Sequence, residues 1–214
     1  MNVLITGFDP FGGEPVNPAL EAVKILDGRT IAGARIHTLE IPTVRWKSIE
    51  TIRQAIDRLD PALVIAVGQA GGRMEMSIER VAINVDDFRI KDNEGNQPVD
   101  ERIAPDGPAA YWSTLPIKKI TTALRKTGVP CSVSNTAGTF VCNHVFYGLM
   151  HLLHTEGSKR RGGFIHIPYL PSQAARLTGQ PSMSRDLVVL GLSTAIEIAL
   201  AAVTDDKTTG GTLC

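Results

Sequence analysis

Apolar and polar positions along the chain follow two periods that take turns. Asn2–Gly7 is a short apolar run that reads as a first strand. Asn17 and Pro18 then open a helix that Gly28 closes, since asparagine accepts a backbone N–H at an N-cap and proline suits the first helical position. Arg35–Ile41 is a second strand. From Val44 a helix of about seventeen residues is predicted, with Trp46, Ile49, Ile52 and Ile56 on one stripe. Ala62–Val67 is almost continuously apolar, as in a parallel strand covered on both faces. Met76–Asn84 alternates as a strand does, and Pro116 opens a helix that ends at Gly128. A strand at Cys131–Ser134 leads into a helix with Val141, Val145, Leu149, Leu152 and Leu153 on one stripe. Gly162–Ile167 reads as a buried strand, and the last helix runs from about Ser184 to Val203.

Strands alternating with helices predict an α/β fold, a parallel or mixed sheet with helices on both sides. No repeat or linker divides residues 1–203, which are expected to form one domain; the Thr/Gly-rich stretch 204–214 is expected to be a disordered tail. Two segments break the alternation. One is Phe8–Gly13, directly after the first strand. The other is Phe88–Trp112, about twenty-five residues rich in Asp, Asn, Gly and Pro, and structureless loops of that length are usually functional.

Charge narrows the partners. Lys plus Arg number 22 and Asp plus Glu number 22, so there is no basic field for nucleic acid or anionic membranes. Neither a signal peptide nor a membrane-spanning apolar run is apparent, and three cysteines make no disulfide framework. A cytoplasmic protein is the expectation. Cys131 reads as strand packing, and Cys214 as an incidental thiol of the tail.

Cys142 has a more specific setting. The turn Thr136-Ala137-Gly138 precedes it, and Thr139 is the predicted N-cap, which places Cys142 near the third helical position among unpaired backbone N–H groups. Such a position is expected to lower a thiol pKa and to offer donors to a developing oxyanion, as a nucleophile requires. A thiolate needs an acid/base partner. His144 lies about 200° around the helix from Cys142, His151 and His154 lie too far along it, and His37 sits in a strand with nothing reactive nearby. His166 ends a buried strand and is the candidate, although a core histidine bonded to backbone fits the same pattern equally well. Glu79 shares parity with Val81 and Ile83 and could orient His166. An exposed edge strand, or an ion pair with Arg80 or Arg73, accounts for it at least as well.

Rival chemistries fit poorly. Gly7 with Gly12-Gly13 does not have dinucleotide-binding spacing, no P-loop is present, and Gly68-Gln69-Ala70-Gly71-Gly72 reads as a turn. His151 and His154 share a face but lack further metal ligands, so neither a metal nor a cofactor is expected, and this histidine-rich helix face is expected to be partly solvated. What remains is a pocket of Phe8, Phe11, Phe140 and Val141 with Gln69 and Asn17 as neutral polar groups. It suits a small uncharged ring with amide hydrogen-bonding groups.

With TGFDPFGG (Thr6 to Gly13), VGQAGGR (Val67 to Arg73), ERVAIN (Glu79 to Asn84) and DNEGNQP (Asp92 to Pro98), the chain resembles the pyroglutamyl peptidase type I family of cysteine peptidases. PAAYW (Pro108 to Trp112), TAGTFVCNHVFYGLMH (Thr136 to His151) and GGFIHIPYLP (Gly162 to Pro171) extend the resemblance over nearly all of the chain to about residue 203. It implies removal of an N-terminal pyroglutamyl residue from peptides, with Cys142 as nucleophile, His166 as acid/base and Glu79 orienting it. It also implies a substrate pocket of Phe8, Phe11, Asn17, Gln69, Ile90, Phe140 and Val141, with Arg89 beside the oxyanion. The fold implied is a three-layer α/β/α sandwich, assembled as a cytoplasmic homotetramer without metal or cofactor. Asn135 stands where an aromatic residue is common in that family, Ile78 where proline is, and Ser172 where an acidic residue is.

Overall fold

The computed structural model of the protein describes residues 1–157 and 159–211. Strand β1 (Asn2–Phe8) leads to helix α1 (Pro18–Lys24), the hairpin-like β2 (Thr30–Ile31) and β3 (Ala34–Ile41), then α2 (Lys47–Leu59) and β4 (Leu63–Gln69). β5 (Met76–Glu79), β6 (Val81–Ile83) and β7 (Ala110–Trp112) follow, with α3 (Ile117–Lys126) and β8 (Cys131–Ser134) after them. α4 (Val141–Thr155), β9 (Arg161–Ile167), the short α5 (Pro171–Ala174) and α6 (Arg185–Ala201) complete the order.

Seven strands form one sheet in the order β2-β3-β1-β4-β9-β5-β8. β3, β1, β4 and β9 are parallel, β5 runs antiparallel to β9, and β8 is parallel to β5. The sheet is therefore mixed and mostly parallel. One face packs Ile5, Val67, Ile78, Cys131 and Ile165 under α1, α3 and α6. The other packs Leu4, Val64, Ala66 and Phe164 under α2 and α4. This is the three-layer α/β/α sandwich that the alternation of elements predicts. The central strands are apolar throughout because helices cover them on both sides.

Local chemistry explains where elements begin. Asn17 caps α1 by accepting the Ala19 N–H at 3.0 Å, with Pro18 next. Ser184 caps α6 by accepting the Leu187 N–H. Three expectations shift. α1 ends at Lys24, and Gly28 lies in a turn beyond it with φ of 69°. α2 starts at Lys47 rather than Val44, because Trp46 has φ of 64° and stands half-exposed outside the helix. The run Met76–Asn84 is two strands: it breaks at Arg80, after which β6 leaves the main sheet to pair with β7.

Beyond α6, the Asp205 carboxylate accepts the backbone N–H groups of Lys118 and Lys119, each at 3.0 Å. The start of α3 has no side-chain cap of its own, so Asp205 supplies one from a distance. Arg80 donates to the Gly210 carbonyl. Cys214 lies outside the described residues. No helix among them is long and apolar enough to cross a membrane.

Candidate active site

Strand parity brings the candidate side chains together. Ile165 and Ile167 of β9 belong to one core, so Phe164 and His166 point to the other face. Met76 and Ile78 of β5 face the same core as Ile165, which sends Ser77 and Glu79 to the side of His166. The register sets Gly68 of β4 and Ser77 of β5 directly beside His166. Cys142 reaches this face from above. A Cβ at Gly68 would lie 3.0 Å from Cys142 Sγ and 2.8 Å from the Phe164 ring. Position 68 must therefore be glycine for the thiol to seat there.

β8 runs antiparallel to β9, so the chain does not reach Cys142 from the carboxyl edge of a parallel strand. It turns through Thr136–Gly138, where the Thr136 hydroxyl accepts the Gly138 N–H and Gly138 has φ of 76°. Thr139 is not the N-cap. Its hydroxyl donates to the Asp87 carbonyl at 2.7 Å, Phe140 holds the cap position, and Cys142 is the second residue of α4.

Glu79 is fully buried and His166 nearly so. His166 Nδ1 donates to Glu79 Oε1 at 2.8 Å, so in the neutral ring Nε2 is the nitrogen that carries the free lone pair. The same carboxylate oxygen accepts from Arg73 Nη1 at 2.7 Å, and Arg73 Nη2 donates to the Thr136 carbonyl at 3.0 Å. Glu79 is thus both a partner of the histidine and an ion pair of Arg73. Burial alone would raise its carboxyl pKa. The hydrogen bond and charge of His166, with help from Ser134 and Arg73, outweigh that and hold it below the usual range.

Cys142 does not have the lowered pKa expected at a helix start. Burial of its thiol, reinforced by the Glu79 charge and only partly offset by Arg73, pushes it up to about 12. Part of the residue opens to the cleft, while the sulfur itself packs among protein atoms beside Gly68. Among the described residues no hydrogen bond joins Sγ to His166. A thiol raised this far keeps its proton near neutral pH.

A cavity of about 310 Å³ opens beside Cys142 and His166. Of the expected substrate residues, Phe11, Gln69, Ile90 and Phe140 line it, as does Arg89. Phe8, Asn17 and Val141 do not. Phe8 packs behind it on Phe164, Val141 is core, and Asn17 spends its amide on the Ala19 N–H and the Asp9 carbonyl. Phe140 sits edge-on to Phe88 with ring centroids 4.8 Å apart and lies 6.1 Å from Phe11, giving an aromatic wall. Gln69 Oε1 accepts from Gln173 at 3.2 Å, which fixes the amide orientation. Tyr169, Ala70 and Ala137 also line the cavity and were not singled out from the sequence. They follow strand ends or turns with no period to flag them. The remaining histidines lie elsewhere. His144 is fully buried and donates through Nδ1 to Asp86 at 2.8 Å, while His151 meets the Tyr111 hydroxyl at 2.9 Å and His154 is exposed, so the face those two share is partly solvated.

The family described as pyroglutamyl peptidase matches residues 1–202 of this chain. Pyrrolidone-carboxylate peptidase 1 of Ralstonia nicotianae is 63% identical over 211 residues, covering 99% of this chain and 98% of the relative. The pyrrolidone-carboxylate peptidase of Fusobacterium nucleatum is 56% identical over 212 residues, covering 99% of each. The crystal structure of pyroglutamyl peptidase I from Bacillus amyloliquefaciens superposes with a TM-score of 0.95 at 52% identity, covering 97% of this chain and 99% of that one. The chain belongs to the pyroglutamyl peptidase family, a family of cysteine-type exopeptidases.

Proposed function

From that membership we propose that the protein hydrolyses the amide bond after an N-terminal pyroglutamyl residue of a peptide, through an acyl-enzyme on Cys142. The observation that carries this reading is the single sheet face shared by Cys142, His166 and Glu79, beside a cavity with an aromatic wall and a neutral amide.

Cys142 Sγ attacks the scissile carbonyl as His166 Nε2 takes the thiol proton, so no free thiolate has to exist at rest. The imidazolium that forms is stabilised by Glu79, whose lowered pKa keeps it ionised. The tetrahedral oxyanion faces the unpaired N–H groups at the start of α4, with the Arg89 guanidinium at the cavity rim. One such donor is worth about 3 kcal/mol. His166 then passes its proton to the leaving amine. Water, deprotonated by His166, attacks the thioester and releases pyroglutamate and the free thiol.

Pyroglutamate is a lactam, with no ammonium at its end. Phe11 and Phe140 accept its ring, and Gln69, oriented by Gln173, pairs with the ring amide. An N-terminal proline differs by carrying a charged amine in place of the lactam, and the cavity offers that charge no carboxylate among its lining residues. Pyroglutamyl anilide should release its chromogenic amine at least ~10²-fold faster than prolyl anilide, and alkylation with iodoacetamide should abolish the release. Equal rates on the two anilides would contradict the lactam assignment. The same reading makes the protein a cytoplasmic homotetramer, which light scattering at four times the monomer mass would support.

A further inference from the structure

Building on the function proposed above, we propose that Gln173 is a positioning residue for substrate recognition. It occupies the amide oxygen of Gln69 and so leaves Gln69 Nε2 as the donor that reads the ring carbonyl of the substrate.

Gln173 lies in the short α5 that follows β9 and has no exposed surface. A buried amide must find partners for its oxygen and for both N–H groups. Its Oε1 accepts the Leu170 N–H at 3.1 Å. Its Nε2 donates to Gln69 Oε1 at 3.2 Å and reaches Glu14 Oε2 at 3.5 Å. Glu14 is paired in turn with Arg176 at 2.6 Å, one turn further along the chain. These partners fix which end of the amide is which. Rotated by half a turn, Gln173 would set its oxygen against the Glu14 carboxylate and the Gln69 oxygen, and its NH2 group against the Leu170 N–H.

The single orientation of Gln173 passes to Gln69. Gln69 is the last residue of β4, beside Ile167 of β9 and next in sequence to Gly68, where the thiol seats. A rotated Gln69 would meet Gln173 donor to donor. Its oxygen is therefore spent on a residue 104 positions away, and among the described residues no hydrogen bond engages its Nε2. Gln69 lines the catalytic cavity, so this NH2 group is what it offers a ligand. A donor at this place selects an acceptor in the ring. The lactam carbonyl is that acceptor, and it is the group that separates pyroglutamate from proline. A prolyl ring leaves the donor unpaired and brings a charged amine beside it, which a site built for a carbonyl rejects.

Gln173→Met keeps the length of the side chain but cannot donate. It should lower kcat/KM on pyroglutamyl anilide by at least ~10-fold, mostly through KM, because the ring contact is held in ground and transition state alike. In a Gln69→Met background the same substitution should change kcat/KM by less than ~2-fold, since no amide remains to be oriented. Losses that multiply in the double variant would overturn the positioning role. Gln69→Glu tests the donor separately, and with Gln173 intact it does not depend on Gln173→Met folding. The carboxylate still accepts from Gln173 but turns an oxygen to the ring. Hydrolysis of pyroglutamyl anilide should fall at least ~10²-fold, and the prolyl-to-pyroglutamyl ratio should rise. Wild-type rates on pyroglutamyl anilide in Gln69→Glu would overturn the donor assignment and leave the peptidase reading standing. Wild type inactive on pyroglutamyl anilide would overturn the function, and this inference with it.

Discussion

His166 and His144 each donate through Nδ1 to a fully buried carboxylate at 2.8 Å, Glu79 in one case and Asp86 in the other. Each carboxylate is held by an arginine as well: Arg73 at 2.7 Å on Glu79, and Arg45 at 2.9 Å on Asp86. The two clusters differ at the second ring nitrogen. His144 Nε2 accepts the backbone N–H of Trp46 at 3.0 Å, the residue whose φ of 64° ends the loop before α2. His166 Nε2 opens on the cavity that Cys142 lines. One imidazole is spent on tying a loop to α4, and the other presents its second nitrogen to the cavity. An Asp–His or Glu–His pair therefore says nothing about catalysis until the other nitrogen's partner is known.

The largest expected effect falls on the open cluster. Cys142→Ala should lower kcat by at least ~10⁴-fold while melting near the wild-type temperature, as measured by anilide hydrolysis and calorimetry. Retained turnover would remove the nucleophile assignment. Next, His166→Ala should cost more activity than Glu79→Gln, by about tenfold, because the carboxylate orients and stabilises the ring but transfers no proton. The reverse ranking would refute that division of roles.

His144→Ala should break the comparison the other way. Removing the ring leaves the buried Asp86 carboxylate short of a donor and the Trp46 N–H without its acceptor, at a cost of about 3 kcal/mol in unfolding free energy. Specific activity of the folded fraction should fall far less than in His166→Ala. An activity loss matching His166→Ala, at unchanged denaturation midpoint, would show that the two clusters are not distinct in kind.

The same contrast can be read in the pH dependence of stability. Glu79 has its folded pKa lowered, so its contribution is complete above about 4.3 and is lost as pH falls through the lowered value. Cys142 is raised to about 12, so the folded state holds its proton longer than the unfolded chain, and stability declines as pH rises from about 8.5 toward 12. Cys131, raised to about 11 by burial, adds to the same decline. Cys142→Ala should flatten part of that alkaline slope in chemical denaturation, and an unchanged slope would contradict a buried neutral thiol.

Much of this was legible in the chain, for reasons that can be named. Apolar period placed β4 and β9, and the Asn17-Pro18 and Ser184 signals placed the starts of α1 and α6, because those are local chemistry. Parity made Glu79 a candidate, yet periodicity could not choose between His166 and Arg73 as its partner. The folded chain uses both on one oxygen, a tertiary fact. The break at Arg80 was hidden because β6 keeps strand chemistry while changing sheets. A helix start lowers a thiol pKa only where the sulfur is solvated, and the burial that reverses this at Cys142 comes from its seat against Gly68, 74 positions earlier. Asn17 and Val141 illustrate the converse. Both stand near cavity-lining residues in sequence, and both are turned inward, one to cap a helix and one to fill the core.

The central claim is that Cys142 carries the pyroglutamyl group between two half-reactions. Its most direct test is mass spectrometry of protein quenched in acid during turnover of pyroglutamyl anilide, with the adduct localised by fragmentation. The account predicts an added mass of one pyroglutamyl acyl group on Cys142, absent after iodoacetamide treatment. Turnover with the acyl group on another residue, or continuing after Cys142 is fully alkylated, would contradict it.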